Sequence, residues 1–214
     1  MDARRRWVIL DVGETLIDET RVWATWADVL GVPHLTFFAA LGAEVMGERD
    51  HRTLLEWFGG PAWQDRAPEV EAAYGGFRKE DLYPDALSTV ARLRAAGYRV
   101  AVLANQPAVR AAELEALGVQ PDVMAMSELL GAHKPDPAFF VRALELLGHP
   151  PVSDVAYVGD RIDNDVRPAR AAGMRAVWIR RGPWGVLHED RDGAAHLVVR
   201  SLNELAERID EVRE

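Results

Sequence analysis

Apolar and polar positions follow two rhythms along this chain. Short apolar runs without polar alternation recur at residues 7–10, 98–103, 123–126, 154–158, 175–179 and 197–199. Runs of that length predict strands buried on both faces, the pattern of a parallel sheet. Between them apolar residues recur at helical spacing. Residues 85–96 place Leu87, Val90 and Leu93 on one face, with Gly97 after the last turn. Residues 107–117 form the next helix, stopped by Gly118. Asp136-Pro137 opens another, with Phe139, Phe140, Ala143, Leu144 and Leu147 facing inward and Gly148 closing it. Residues 164–172 follow, with Pro168 tolerated near the first turn and Gly173 as the stop. Ser201-Leu202-Asn203-Glu204 reads as a capping box for the final helix. Strands alternating with helices predict a parallel sheet covered on both faces.

The stretch 18–82 breaks this rhythm. It offers helices near 19–30, 35–46, 52–58 and 68–77, interrupted at Gly59-Gly60-Pro61, and no convincing strand. It is a helical insertion between the first strand and the rest of the sheet. Its aromatic residues Trp23, Trp26, Phe37, Phe38, Trp57, Phe58 and Trp63 are expected to form a small core of their own.

Composition narrows the function. With 214 residues, 49% of them hydrophobic, the chain can bury one core and carry an insertion. No apolar run approaches the ~20 residues of a membrane span. Arg4-Arg5-Arg6 reads as a solvated basic start, because the apolar run behind it is too short for a signal peptide and ends on Asp11. The absence of cysteine excludes disulfides, thiolate chemistry and Cys-ligated zinc, and makes the cytoplasm the default. A net charge of −9 argues against nucleic acid as a partner. An anionic substrate then needs local cations. Lysine occurs only at Lys79 and Lys134.

Four strand ends carry candidate chemistry. The first strand runs into Asp11-Val12-Gly13-Glu14-Thr15. Ligands of open α/β sheets bind beyond the carboxyl ends of the strands. Asp11 therefore either caps a loop amide or stands at the mouth of a site. Val158-Gly159-Asp160 repeats the design, and Asp163, Asn164 and Asp165 follow. This cluster suits a hard, oxygen-liganded cation, although Asn164 or Asp165 is also a candidate cap for the next helix. His133-Lys134-Pro135 puts an ammonium group between stiff flanks, suited to phosphate. The second strand ends at Ala104-Asn105, where backbone N–H groups and the Asn105 amide are placed to grip an anion.

In this order the four segments resemble the haloacid dehalogenase superfamily, which is mostly phosphatases. The resemblance spans nearly the whole chain and includes the re-entry at Leu82-Tyr83-Pro84-Asp85. It implies a Rossmann-like, doubly wound α/β core of residues 1–17 plus 83–214 and a small α-helical cap domain of residues 18–82. In that family the first Asp of an Asp-x-Asp-x-Thr segment is the nucleophile; Asp11 and Thr15 match. A lysine before proline steadies nucleophile and phosphate; Lys134 matches. A Gly-Asp followed by further acids holds Mg²⁺; Gly159, Asp160 and Asp165 match, with Asp11 and the carbonyl of Gly13 completing the implied ligands.

Two positions depart from the family pattern. Gly13 replaces the second Asp, which protonates the leaving group and then deprotonates water, help typically worth ~10²–10⁴ in rate. Ala104 replaces the Ser or Thr that hydrogen-bonds the phosphate, a donor whose loss can cost ~10²–10³. Asn105 is expected to compensate in part. Glu14 lies one residue beyond the missing Asp and is expected to point elsewhere. The resemblance thus implies a slow Mg²⁺-dependent hydrolase of a small phosphorylated metabolite, working through an aspartyl-phosphate. It is expected to favour acyl or aryl phosphates, whose leaving groups need no proton. Two other readings stay open at this point. One is carbon–halogen or carbon–phosphorus cleavage, the latter needing a cap lysine for which Lys79 is the only candidate. The other is a phosphate-ligand binder on a decayed scaffold. A homodimer is left open.

Overall fold

The computed structural model describes residues 6–213, so Arg4 and Arg5 of the basic start lie outside the described residues. The centre of the fold is β1 (Trp7–Leu10), whose four residues are all buried. It pairs in parallel with β2 (Arg99–Ala104) on one side and β4 (Val155–Gly159) on the other, so that Leu10 lies between Val102 and Val158. β3 (Val123–Met126) extends the sheet beyond β2, and β5 (Arg175–Ile179) and β6 (Leu197–Val199) beyond β4. The order is β3-β2-β1-β4-β5-β6, all parallel. Chain order reverses direction between β1 and β4, and at such a switch point the loops part and leave a crevice.

Successive residues of each strand serve opposite cores. Val8, Leu10, Val100, Val102, Ala156, Val158, Val177 and Ile179 face one side. That side is covered by α5 (Ala86–Ala95), α6 (Val109–Ala116) and α11 (Leu202–Arg208). Trp7, Ile9, Ala101, Leu103, Val155, Tyr157, Ala176 and Trp178 face the other side. There they meet α8 (Pro137–Leu146) and α9 (Arg167–Ala171). A register slip of one residue in β1 would exchange its two faces; with both faces apolar, side-chain size and shape hold the register.

Three local expectations are corrected, and two elements are added. Leu87 is 41% exposed, because the buried stripe of α5 is Ala86, Thr89, Val90 and Leu93, and Leu87 sits one helical step off it. α4 (Ala67–Tyr74) stops short of residue 77, since Gly75 at φ 66° takes the left-handed conformation that ends a helix. Two short helices, α7 (Ser127–Leu130) and α10 (Gly182–Leu187), span too few residues to show a period. Finally, the helix expected over 164–172 begins as a π-helical turn, Ile162–Val166, and neither Asn164 nor Asp165 caps α9.

The inserted helices α1 (Thr20–Leu30), α2 (His34–Met46) and α3 (Arg52–Gly59), with α4, stand over the carboxyl edge of the sheet. Their cluster contains Trp23, Ala27, Phe37, Leu41, Val45, Leu54 and Leu55, with Trp26, Phe38, Phe58 and Trp63 half-buried against it. Trp184 of α10, on the sheet side, completes it. Trp57 is not part of this core; it is 62% exposed. The outgoing and returning chains are stitched together. Ile17 bridges Leu82, Asp18 N–H donates to Asp81 O at 2.8 Å, and Tyr83 N–H donates to Leu16 O at 3.0 Å. The Arg21 guanidinium locks this crossing, donating through Nε to Asp81 Oδ1 at 2.9 Å while lying 3.9 Å over the Tyr74 ring. Among the described residues no single helix is long and apolar enough to cross a membrane; α1 and α2 pass by length and composition only as a pair bent by 116°.

Candidate active site

A cleft of about 930 Å³ lies between the sheet edge and the inserted helices. Its floor is made by the ends of β1 and β4 and by the loop that carries Lys134. Asp11 follows β1, and its N–H donates to Val158 O at 2.9 Å, which fixes it beside the end of β4. Lys134 Nζ lies 2.8 Å from Asp11 Oδ1 and 2.6 Å from Asp165 Oδ1. Its side chain is 1% exposed, so the ammonium cannot turn to solvent without uncovering both carboxylates. Burial alone would lower the Lys134 pKa, but Asp11 and Asp165 outweigh it and hold the group well above its ordinary value. Burial pushes the Asp11 carboxyl up to about 6 against the pull of Lys134.

Asp165 is held from several directions. Its Oδ2 accepts from Arg161 N–H at 3.0 Å, and Asn164 Nδ2 donates to its Oδ1 at 3.3 Å. The backbone at Gly159 comes so close that a Cβ there would stand 2.4 Å from Asp165 Oδ2, so only glycine admits the carboxylate. Asp163, the remaining acid of this loop, instead pairs with Arg161 at 2.6 Å and is half exposed.

Asp11, Asp160 and Asp165 each present an oxygen within 4.8 Å of the others. Burial, then Asp165 and Asp11, raise the Asp160 pKa well above its ordinary value. Asp160 Oδ2 is buried without a hydrogen-bond partner. Lys134 thus pairs with two of the three carboxylates, and one oxygen of the third has nothing to bind. These residues fit a hard divalent cation, whose charge would offset the excess and whose preference is for oxygen donors.

The anion grip expected at the end of β2 is built differently. Ala104 is buried and brings no donor. Asn105 Nδ2 donates to Lys134 O at 2.8 Å, while Lys134 N–H donates to Asn105 Oδ1 at 2.8 Å. This reciprocal pair anchors the lysine loop, so the Asn105 amide positions Lys134 and has one N–H left for a ligand. His133 is exposed at the rim of the cleft. Lys79 is also exposed and does not line the cleft, which removes the motive for a Schiff-base reading.

Around Gly13 the structure adds a residue that the motifs did not single out. Glu14, at φ 50°, spends both carboxylate oxygens: Oε1 accepts from Glu19 N–H at 3.1 Å and Oε2 from Tyr83 OH at 2.5 Å. Glu19, the residue before α1, lines the cleft together with Asp11 and Gly13. Burial, helped by Glu14 and Asp11, pushes its carboxyl up to about 8. Gln106 Nε2, from the loop after β2, donates to Glu19 Oε1 at 3.4 Å. The roof of the cleft carries His51, with Trp23 and Trp184 rings at 5.6 and 5.5 Å in edge contact, and Arg161 lies 5.0 Å over Trp184. Burial, then Arg161, lower the His51 pKa to about 4. Trp23 Nε1 and His51 Nδ1 are buried without a well-formed hydrogen bond; the Trp23 indole stands beside the Glu19 carboxylate, and His51 Nδ1 lies 3.9 Å from Asp50 Oδ1.

Comparison with known proteins matches this geometry to a family. The family model described as haloacid dehalogenase-like hydrolase matches residues 6–173. A phosphoserine phosphatase of Thermus thermophilus is 36% identical over 193 residues, 88% of this chain and 74% of that protein. A glyceraldehyde 3-phosphate phosphatase of Methanopyrus kandleri is 39% identical over 105 residues, 48% of this chain and 45% of its own length. Among solved structures, the HAD-hydrolase YfnB of Bacillus subtilis, bound to magnesium, superposes with a TM-score of 0.73 at 16% identity, covering 97% of this chain and 99% of that one.

Proposed function

The chain belongs to the haloacid dehalogenase-like hydrolases, and on that footing we propose that it is a Mg²⁺-dependent phosphatase of a small phosphorylated molecule. The observation that carries this reading is the buried Asp11–Lys134–Asp165 chain beside the partnerless Asp160 oxygen. The two relatives named as phosphatases for phosphoserine and glyceraldehyde 3-phosphate support it and point to an alkyl phosphate monoester as the substrate class.

In this reading Lys134 engages one oxygen of Asp11 and leaves the other to attack phosphorus. The P–O bond to the leaving oxygen breaks as the Asp11 O–P bond forms, giving an aspartyl-phosphate. Water then attacks the same phosphorus, the Asp11 O–P bond breaks, and phosphate leaves. Lys134 keeps the nucleophile oriented and offsets charge on the phosphoryl oxygens throughout. Mg²⁺ held by Asp11, Asp160 and Asp165 would add a second positive centre beside those oxygens. Asn105 fixes the lysine loop, and the helices of residues 18–82 act as a cap domain over the core of residues 1–17 plus 83–214, standing over the cleft.

The test is phosphate release from a panel of phosphorylated metabolites and from 4-nitrophenyl phosphate, with Mg²⁺ and with a chelator. Release that needs Mg²⁺ and returns when it is restored is expected. Release indifferent to chelation, or none from any compound, would overturn the reading.

A further inference from the structure

The missing side chain of Gly13 leaves a space, and that space is filled. A Cβ built on Gly13 would stand 2.5 Å from Glu19 Oε1 and 2.8 Å from Glu19 Cδ. The Glu19 carboxylate therefore lies where the first atoms of a residue-13 side chain would go. It belongs to the cleft and not to the helix behind it. Glu19 occupies the N-cap position of α1, yet its side chain makes no capping bond. Asp18 does that work instead, its Oδ1 accepting from Thr20 N–H at 2.8 Å. Gln106 Nε2 donates to Glu19 Oε1 at a long 3.4 Å, and the Trp23 indole and the Arg161 charge stand close enough to favour its ionised form. Glu14, the neighbouring carboxylate, is tied at both oxygens and cannot serve.

We propose that Glu19, reaching into the site from the start of the inserted helices, is the general acid and base of the reaction in place of the carboxylate that Gly13 lacks. The proposal rests on the phosphatase reading above. As Asp11 attacks and the P–O bond to the leaving group breaks, the Glu19 carboxylic acid gives its proton to the departing alkoxide, which leaves as the alcohol. Glu19 is now a carboxylate. As water attacks the aspartyl-phosphate, Glu19 takes a proton from it, the Asp11 O–P bond breaks, and both side chains return to their starting forms. The chain then needs no bias toward aryl or acyl leaving groups. A side chain at position 13 would compete with the Glu19 carboxylate for the same space, so the glycine and the relocated acid go together.

The test compares an alkyl substrate, glycerol phosphate, with an aryl one, 4-nitrophenyl phosphate, in the parent and in Glu19→Gln. For glycerol phosphate kcat/KM should fall by about 10²–10⁴, the usual worth of acid–base help. For 4-nitrophenyl phosphate, whose leaving group needs no proton, kcat/KM should fall by less than about tenfold. A burst of nitrophenolate should appear, because phosphorylated Asp11 now waits for an unassisted water. Relocating the carboxylate, as Gly13→Asp with Glu19→Ala, should recover alkyl turnover, whereas Gly13→Asp alone should not raise it. Equal losses on both substrates with no burst would mean that Glu19 only supports the fold, and would overturn the proposal. So would alkyl turnover untouched by Glu19→Gln. A parent inert toward both substrates would overturn the phosphatase reading and this proposal with it.

Discussion

The floor and the roof of the cleft are built on opposite terms. On the floor Lys134 satisfies two carboxylates at 2.8 and 2.6 Å, Asn105 holds the lysine loop by two reciprocal hydrogen bonds, and Gly159 presses on Asp165. Each group is fixed by several neighbours, as a reacting centre requires. On the roof Trp23 Nε1 and His51 Nδ1 are buried without a well-formed hydrogen bond, and the Glu19 side chain is held by a long bond from Gln106 and by the nearby Trp23 indole. The floor rests on a sheet packed on both faces, while the roof rests on helices tied to it by Arg21, by the paired crossings at Ile17–Leu82 and by Trp184. Chemistry that must be pre-organised is placed on the rigid side. In the proposed reaction the group that meets the leaving group, Glu19, stands on the other.

The largest effect expected from breaking this contrast is on the floor. Lys134→Met removes the shared cation and leaves two buried carboxylates facing each other. Unpairing a buried charge of this kind costs about 3–5 kcal/mol. Urea denaturation should show a fall of that size in midpoint stability, and a loss within experimental scatter would mean the floor is less tightly coupled than its distances imply.

A smaller effect is expected on the roof, and it should depend on pH. His51 is neutral in the fold, with its pKa lowered from 6.5 to about 4 by burial and by Arg161. Between those values the unfolded chain binds a proton that the folded chain refuses, so stability falls as pH drops from 6.5 toward 4. The contribution lost is up to about 3 kcal/mol. Arg161 and Arg52 work in this direction, while Asp50 and Asp163 oppose it. Glu19, raised to about 8, acts with the opposite sign: stability falls as pH rises from the ordinary glutamate value through 8. The difference between the parent and His51→Gln isolates the histidine. That difference should move against the parent, by up to about 3 kcal/mol, as the pH is lowered through this window, and a constant difference would contradict the burial of a neutral ring.

How much was legible in the sequence follows the same division. All six strands show as apolar runs, because strands covered on both faces have few polar positions; Arg99 and Arg175 stand at strand starts, and the edge strand β6 exposes Val198. Asp11, Lys134 and Asp160 are legible because each stands just past a strand end or beside a proline, and Asp165 because it belongs to the run of acids that follows Asp160. The sequence places the Asn105 amide to grip an anion, yet it turns to the Lys134 backbone, a contact between residues 29 positions apart that no local pattern announces. Glu19 looks like an ordinary residue at a helix start. Its position over Gly13 exists only once the turn from Val12 to Ile17 has folded the chain back on itself. The signal available was the pair of facts taken separately: a glycine where a carboxylate is usual, and a carboxylate soon after it. The aromatic core of the insertion was legible as a group, but Trp57 and the contribution of Trp184 from the sheet side depend on helix rotation and docking.

The central claim is that Asp11 is the atom donor to phosphorus. It is tested most directly by acid-quenching the protein during turnover of 4-nitrophenyl phosphate with Mg²⁺ and mapping the modified peptide by mass spectrometry. The account predicts one phosphoryl group on Asp11, accumulating further in Glu19→Gln and absent from Asp11→Asn, which should also lose turnover by roughly 10⁴-fold or more. Phosphate released at the parent rate by Asp11→Asn, or a phosphoryl group trapped on any other residue, would contradict it.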